Sequence, residues 1–138
     1  MFTRLAPRLT SRTSSRLIPE KPAIGTIFLS TKAMTRKKEF LCVMPDKPDV
    51  LGLRKQVKGA HYEGIKPLIA AGKLVDGGAI LEAHPTENAE GRIKGSMVVY
   101  TADNEEEVHR IIEKDVYATS GVWDLEKVQI WPVRVPSP

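Results

Sequence analysis

The sequence lacks the features of several common classes of protein. Its single cysteine, Cys42, excludes an internal disulfide, and no cysteine–histidine spacing typical of a metal site is present. The apolar run from Ala23 to Leu29 is far shorter than the ~20 residues that a membrane-spanning helix requires. We therefore expect no metal, no cofactor and no membrane partner.

Acidic residues are scarce at the start of the chain. The first 35 residues hold six of the 21 basic residues but only one of the 17 acidic ones. Arginine recurs at every fourth position from residue 4 to residue 16, with serine and threonine between. This composition is typical of a mitochondrial transit peptide, and a disordered basic tail is the alternative. We predict that residues 1–35 are a leader and linker that direct the protein to the mitochondrial matrix, whereas a form starting at Met34 would be cytoplasmic.

Residues 36–138 are predicted to form the folded domain, and their charge is nearly balanced. They contain 15 basic and 16 acidic residues, so no broad positive surface is expected to attract nucleic acid. The third predicted strand also lacks the aromatic-plus-basic pattern with which sheets stack bases. We expect no nucleic-acid partner.

The hydrophobic pattern of the domain predicts the element order β-α-β-β-α-β. The predicted strands are Glu39–Met44, Leu74–Leu81, Gly95–Thr101 and Val128–Trp131, and the predicted helices cover about 51–71 and the segment after Asp103 or Asn104. Two β-α-β halves of this length give a ferredoxin-like α+β fold, in which a four-stranded antiparallel sheet carries both helices on one face. The other face is predicted to expose Leu41, Val43, Val98 and Tyr100, which indicates a partner surface.

Local signals give three further predictions about the helices. Asp49 is a candidate N-cap for the first helix, and Pro67 is expected to kink this helix or to end its regular hydrogen bonding after about Gly64. On the second helix, His109 is expected to form a surface ion pair with Glu113, four residues later.

One histidine lies on the apolar stripe of the first predicted helix. At about 100° per residue, Val57, Ile65 and Leu68 share a face with His61, and Arg54, two turns earlier, points the same way. An imidazole in this position is either a hydrogen-bonded core residue or the floor of a pocket. Buried, hydrogen-bonded histidines are common, so these residues alone favour the first interpretation.

Several stretches of the domain resemble the YCII-related family of small α+β proteins. They are Arg54–His61, Ala71–Leu74 with Gly77–Gly78, Gly95–Ser96, and Asp115–Tyr117 followed by Gly121–Trp123 and Val128–Pro132. The resemblance implies a homodimer whose two ferredoxin-like sheets pack into an α/β barrel, with a His/Asp pair at a pocket in each subunit. His61 and Asp115 match this pair. Lys58 stands where the family usually has arginine, which weakens the case for bidentate anion recognition.

The resemblance also implies a range of functions, because the family has no settled reaction and some relatives act on small unsaturated acids such as chlorinated muconates. We predict proton transfer on a small organic acid, with isomerase-, lyase- or dehalogenase-like chemistry. The alternative is a domain that binds a ligand or a partner without turnover. The predicted site residues are His61 and Asp115 as the catalytic pair, Arg54 and Lys58 as ligands for a substrate carboxylate, and Tyr117 and Trp123 as pocket walls or packing residues. A His–Asp pair that only holds the fold together is the structural alternative.

Overall fold

The computed structural model describes residues 37–137, so the predicted leader lies outside the described residues. In chain order the elements are β1 (Glu39–Pro45), α1 (Leu51–Ala70), β2 (Leu74–Leu81), β3 (Ile93–Thr101), α2 (Glu105–Lys114), α3 (Val116–Thr119), a 3₁₀ turn (Leu125–Lys127) and β4 (Gln129–Val133). The strand order in the sheet is β2-β3-β1-β4, and every neighbouring pair is antiparallel. This order confirms the predicted ferredoxin-like fold.

The buried face of the sheet is defined by the alternation of side chains along β1. Phe40, Cys42 and Met44 are buried and pack with residues of both long helices. Tyr100 and Val98 lie directly opposite Phe40 and Cys42 in the β1–β3 register, so they belong to the same face. Burial also raises the pKa of the Cys42 thiol to about 12, which keeps this cysteine protonated and unreactive.

The open face of the sheet therefore differs from the predicted one. The assignment of Val98 and Tyr100 to this face is wrong, because the register between β1 and β3 places them on the helix side. The side chains that do alternate to the open face are Leu41, Val43, Met97, Val99 and Trp131. The open face is thus still apolar, as predicted, but β3 contributes a different pair of residues to it.

The start and the interior of α1 also differ from prediction. Asp49 does not cap the helix: it has a positive φ of 58°, and the N-cap is Val50, which makes no side-chain cap hydrogen bond. The helix also continues through Pro67 to Ala70. Pro67 removes only the hydrogen bond to the carbonyl of residue 63, which lies at an exposed position where water can replace it.

The second helix and the last strand bring two smaller corrections. His109 pairs with Glu105 at 3.6 Å, one turn before it, and not with Glu113. The last strand continues through Pro132 to Val133, whereas the predicted strand ends at Trp131. Proline is tolerated there because β4 is an edge strand, so its missing N–H interrupts no second ladder.

The described residues carry neither a membrane-spanning helix nor a cluster of metal ligands. Within residues 37–137, no helix is both long and apolar enough to cross a membrane. In the same range, no three His, Cys, Asp or Glu side chains are grouped as metal ligands.

Candidate functional site

His61 and Asp115 lie together, as the family resemblance implied. His61 projects from the middle of α1, and Asp115 ends α2 and caps α3. Nδ1 of His61 lies 2.9 Å from Oδ1 of Asp115, and the same oxygen accepts the backbone N–H of Tyr117 at 2.8 Å. The two side chains are only 14% and 6% exposed. Because the carboxylate acts as an acceptor, we assign the Nδ1–H tautomer to the neutral ring, which leaves Nε2 with a free lone pair.

Two aromatic rings fix the orientation of the imidazole. Tyr117 stacks on His61 with the ring centroids 4.0 Å apart and the planes 21° from parallel. Trp123 meets both rings edge-on, at 6.2 Å from His61 and 5.5 Å from Tyr117. Both aromatic residues are buried, so the histidine is held on one side by the carboxylate and on another by packed rings.

Arg54 occupies the neighbouring position on α1, two turns before His61. Its Nη1 donates to both carboxylate oxygens of Asp46, at 2.8 and 3.0 Å, and its Nη2 donates to Oγ of Ser96 at 2.8 Å. The guanidinium carbon also lies 4.5 Å from the centre of the Tyr117 ring. Burial raises the pKa of Asp46, and the Arg54 guanidinium acts in the opposite direction. The charge of Arg54 is therefore compensated inside the protein, and its role towards a substrate carboxylate stays a prediction.

Lys58 has a different environment from Arg54, although both line the same cavity. Lys58 is exposed, and its Nζ lies 5.7 Å from the centre of the Tyr62 ring. Among residues 37–137, no carboxylate lies within 4 Å of this ammonium group. Of the two predicted anion ligands, Lys58 is thus the one whose charge is available at the cavity.

The cavity itself has a volume of about 360 Å³ and lies between α1 and the β2 side of the sheet. Its wall includes His61, Tyr117 and Trp123, and Asp115 stands behind the histidine. Three basic side chains line it (Arg54, Lys55 and Lys58), and among the described residues no Asp or Glu does. The opposite wall is formed by the small residues Gly77, Gly78 and Ala79 of β2, together with Ser96 and Val98 of β3. A site of this kind favours a small anionic ligand over a cation.

Two buried polar residues of the site were missed by the sequence analysis. Asp46 follows β1 directly and compensates Arg54, and Ser96 accepts hydrogen bonds from Arg54 and from Nε1 of Trp123 at 3.1 Å. The alternation along β3 puts Ser96 on the same face as Val98 and Tyr100, and the register with β1 turns this face inward. A polar side chain on an otherwise apolar inward face indicates a buried hydrogen-bond network.

The model of the YCII-related domain matches residues 39–134, nearly the whole of the described part. This chain belongs to the YCII-related family. The chain is also similar to a single protein of nearly the same domain length, fusaric acid biosynthesis protein 2 of Gibberella fujikuroi. The two are 37% identical over 100 residues, which are 72% of this chain and 96% of that protein.

This YCII-related chain is also similar to part of a larger protein and to a solved structure. Aspartate kinase FUB3 of Fusarium oxysporum f. sp. lycopersici is 37% identical over 101 residues, which are 73% of this chain but only 19% of the kinase. Among solved structures, the fold is similar to 5-chloro-2-hydroxyhydroquinone dehydrochlorinase (TftG) from Burkholderia phenoliruptrix in complex with 2,5-dihydroxybenzoquinone. The TM-score is 0.59 and the identity 27%, and the match covers 70% of this chain and 93% of TftG.

Proposed function

We propose that this YCII-related protein is a small-molecule enzyme in which His61 transfers a proton on an anionic organic substrate. The observation that carries the proposal is the His61–Asp115 contact of 2.9 Å on the wall of the cavity. In that contact Nδ1 is occupied, so Nε2 is the nitrogen left to meet a ligand. Among the described residues, Nε2 has no hydrogen-bond partner that would compete for it.

In such a step His61 takes up one proton and later releases it. Neutral His61 accepts a proton from a C–H or O–H group of the substrate at Nε2, while its Nδ1–H remains bonded to the Asp115 carboxylate. The imidazolium then returns the Nε2 proton to another atom of the substrate or to a departing group. General acid–base catalysis of this kind contributes rate factors of about 10²–10⁴.

The lining of the cavity supports a small, planar or carboxylate-bearing anion as the substrate class. Lys58 offers a positive charge that no carboxylate of residues 37–137 compensates, and Tyr117 and Trp123 add apolar ring atoms to the wall. The similarity to a dehydrochlorinase that binds 2,5-dihydroxybenzoquinone and to proteins of fungal biosynthesis supports chemistry on small organic molecules.

One observation favours the alternative function, ligand binding without turnover. The match to aspartate kinase FUB3 covers only 19% of that protein, so a domain of this family also occurs as a minor part of a larger enzyme. In this alternative the domain binds a ligand, and the rest of the larger enzyme carries out the reaction. The two functions share the cavity and differ in whether His61 exchanges a proton.

A test of the proposed function compares the wild type with His61→Gln and Asp115→Asn, and uses His109→Gln on the exposed surface of α2 as the matched control. The trial substrate is 5-chloro-2-hydroxyhydroquinone, followed by chloride release, and the trial ligand is 2,5-dihydroxybenzoquinone. We expect a rate loss of about 10²–10⁴ in the two site variants, modest stability changes, and no change in the control.

A structural pair gives the opposite pattern. Removing one partner would then cost about 3–5 kcal/mol of unfolding free energy. If both site variants melt at sharply lower temperature while ligand binding per folded molecule is unchanged, the catalytic proposal is wrong.

We also propose that the protein is a homodimer and that its leader directs mitochondrial import. The apolar open face of the sheet supports the first proposal, because a face of this kind usually marks an interface. Light scattering during size exclusion tests the homodimer proposal, and a monomer at micromolar concentration would contradict it.

The Arg/Ser-rich composition of the leader supports the proposal of mitochondrial import. A reporter fused to residues 1–36 that stays in the cytosol would reject this proposal.

A further inference from the structure

Ser96 occupies an unusual position among the hydroxyl groups of the described residues. It lies on β3, is 5% exposed, and belongs to the wall of the cavity that contains His61. Its Oγ accepts two hydrogen bonds, one from Nη2 of Arg54 at 2.8 Å and one from Nε1 of Trp123 at 3.1 Å. Both donors are fixed, because a guanidinium and an indole N–H can only donate.

The two incoming hydrogen bonds determine which part of the Ser96 hydroxyl group is left to bind a ligand. A serine oxygen has two lone pairs and one proton, so two incoming donors occupy both lone pairs. The O–H proton is the only group left, and within residues 37–137 it reaches no acceptor. Because a buried donor without an acceptor is costly, this proton must be satisfied from the cavity side.

We propose that Ser96 is a fixed hydrogen-bond donor of the cavity and that it binds an anionic or carbonyl oxygen of the ligand. This inference rests on the proposed function, in that the ligand is the one His61 acts on. Neither lone pair is free to accept, so Ser96 selects a ligand oxygen that carries no proton at this point. It therefore adds specificity for a deprotonated hydroxyl, a carboxylate or a ketone.

The contacts behind Ser96 strengthen this donor. The positive charge of Arg54 lies next to the hydroxyl oxygen and polarises the O–H bond, although Asp46 compensates the charge overall. Arg54 thus acts on the ligand through Ser96 and is a positioning residue. Trp123 donates to the second lone pair of Oγ and so restricts the direction of the O–H bond.

The test is a titration of the full-length protein with 2,5-dihydroxybenzoquinone, whose ring carries carbonyl and acidic hydroxyl oxygens. Wild type, Ser96→Ala and Ser96→Thr are compared, and the melting temperature is measured on the same samples. We expect the dissociation constant of Ser96→Ala to rise about 10-fold, since a hydrogen bond to a charged oxygen is lost. Ser96→Thr keeps the hydroxyl and restores most of the affinity.

Ser96→Ala also leaves Nη2 of Arg54 and Nε1 of Trp123 without their acceptor, so this variant loses stability as well. A crystal structure of the wild-type complex therefore serves as a second, independent measurement. The proposal expects a ligand oxygen about 2.5–3.0 Å from Oγ. A structure in which Oγ bonds to water alone, or unchanged binding by Ser96→Ala, would overturn it.

Quinone titration and chloride release, measured on the same variants, separate this proposal from the proposed function. If Ser96→Ala weakens binding but His61→Gln neither weakens it nor abolishes chemistry, the donor role stands and the proton-transfer role fails. If His61→Gln abolishes chemistry and Ser96→Ala binds normally, the donor role fails alone. A wild-type protein that does not bind the quinone overturns both.

Discussion

The two long helices lie on the same sheet face but are held there by different contacts. α2 has an Asn104 side-chain cap that accepts the N–H of Glu107, three glutamates in its first turn, and buried Val108 and Ile112. α1 is twice as long, yet it has no side-chain cap, no acid in its first turn, and Arg54 as its only buried residue. It also contains three glycines and Pro67.

This difference explains where the cavity comes from. An amphipathic, capped helix such as α2 closes over the sheet and buries its apolar stripe. α1 is placed by polar and aromatic contacts through Arg54 and His61 and by the half-buried Leu53, Val57 and Leu68, and its β2 side lines the cavity. Arg54 and His61 therefore both hold α1 and belong to the candidate site, whereas α2 contributes stability without contributing a side chain to the cavity wall.

The largest effect is expected from removing the buried charge that holds α1. Arg54→Met leaves Asp46 buried without its partner, which costs about 3–5 kcal/mol of unfolding free energy at neutral pH. Burial raises the pKa of Asp46, and the positive charge of Arg54 lowers it. Without Arg54, the pKa of Asp46 therefore rises further. A carboxyl whose folded pKa is raised stabilises the fold below its unfolded pKa and loses this contribution as the pH rises.

Denaturant unfolding at neutral and at acidic pH measures this prediction. The difference in unfolding free energy between wild type and Arg54→Met should shrink in acid. The double variant Arg54→Met with Asp46→Asn is the control and should recover part of the loss at neutral pH. A single variant as stable as the wild type would show that α1 does not depend on this pair.

The next effect concerns apolar burial on the two helices. Ile112→Ala on α2 removes a fully buried side chain and should cost about 2–5 kcal/mol. Ile69→Ala on α1 removes a side chain that is 53% exposed and should cost less than about 0.5 kcal/mol. Equal losses in chemical denaturation would contradict the contrast between the helices.

A smaller effect, with the opposite sign, is expected from a glycine of α1. A methyl group added to Gly59 meets no atom within 4 Å, so the glycine is not required for close packing. Gly59→Ala should stabilise the protein by about 0.5–1 kcal/mol. The control is Gly121→Ala, which has a φ of +84° and should destabilise. A melting temperature that falls for Gly59→Ala would indicate that α1 must bend there.

The smallest effect is expected at the start of α2. The backbone N–H of Asp103 and the side chain of Lys73 both donate to Glu107 and lower the pKa of its carboxyl. A lowered folded pKa gives stability that is present above the unfolded pKa and is lost as the pH falls through the folded pKa. Glu107→Gln should therefore cost about 0.5 kcal/mol at neutral pH and nothing in strong acid. Urea titrations at both pH values test this, and a loss that does not depend on pH would contradict it.

The sequence predicted the parts of the structure that depend on local pattern. Period-two and helical apolar patterns sufficed for the four strands, the two helices and their order, and the position of His61 on the inner side of α1 followed from helical spacing alone. The proximity of Asp115 came from the family resemblance, because no local rule connects two residues 54 positions apart.

The errors arose where tertiary contacts decide. The faces of β3 depend on its register with β1, which the alternation of β3 by itself cannot fix, so Val98 and Tyr100 were placed on the wrong side. Asp46 was missed because an aspartate after a strand is usually a solvated turn residue. Its role appears only when the helix brings Arg54 to it.

The most direct test of the central claim is nitrogen NMR of the histidine side chains in ¹⁵N-labelled full-length protein, at a pH where the rings are neutral. We expect His61 to carry its proton on Nδ1 in the free protein, and saturating 2,5-dihydroxybenzoquinone to shift Nε2 of His61 while Nδ1 keeps its proton. His109, on the exposed surface of α2, serves as the internal reference and should not move. A proton on Nε2 in the free protein, or an Nε2 resonance that is unchanged at saturation, would contradict the account.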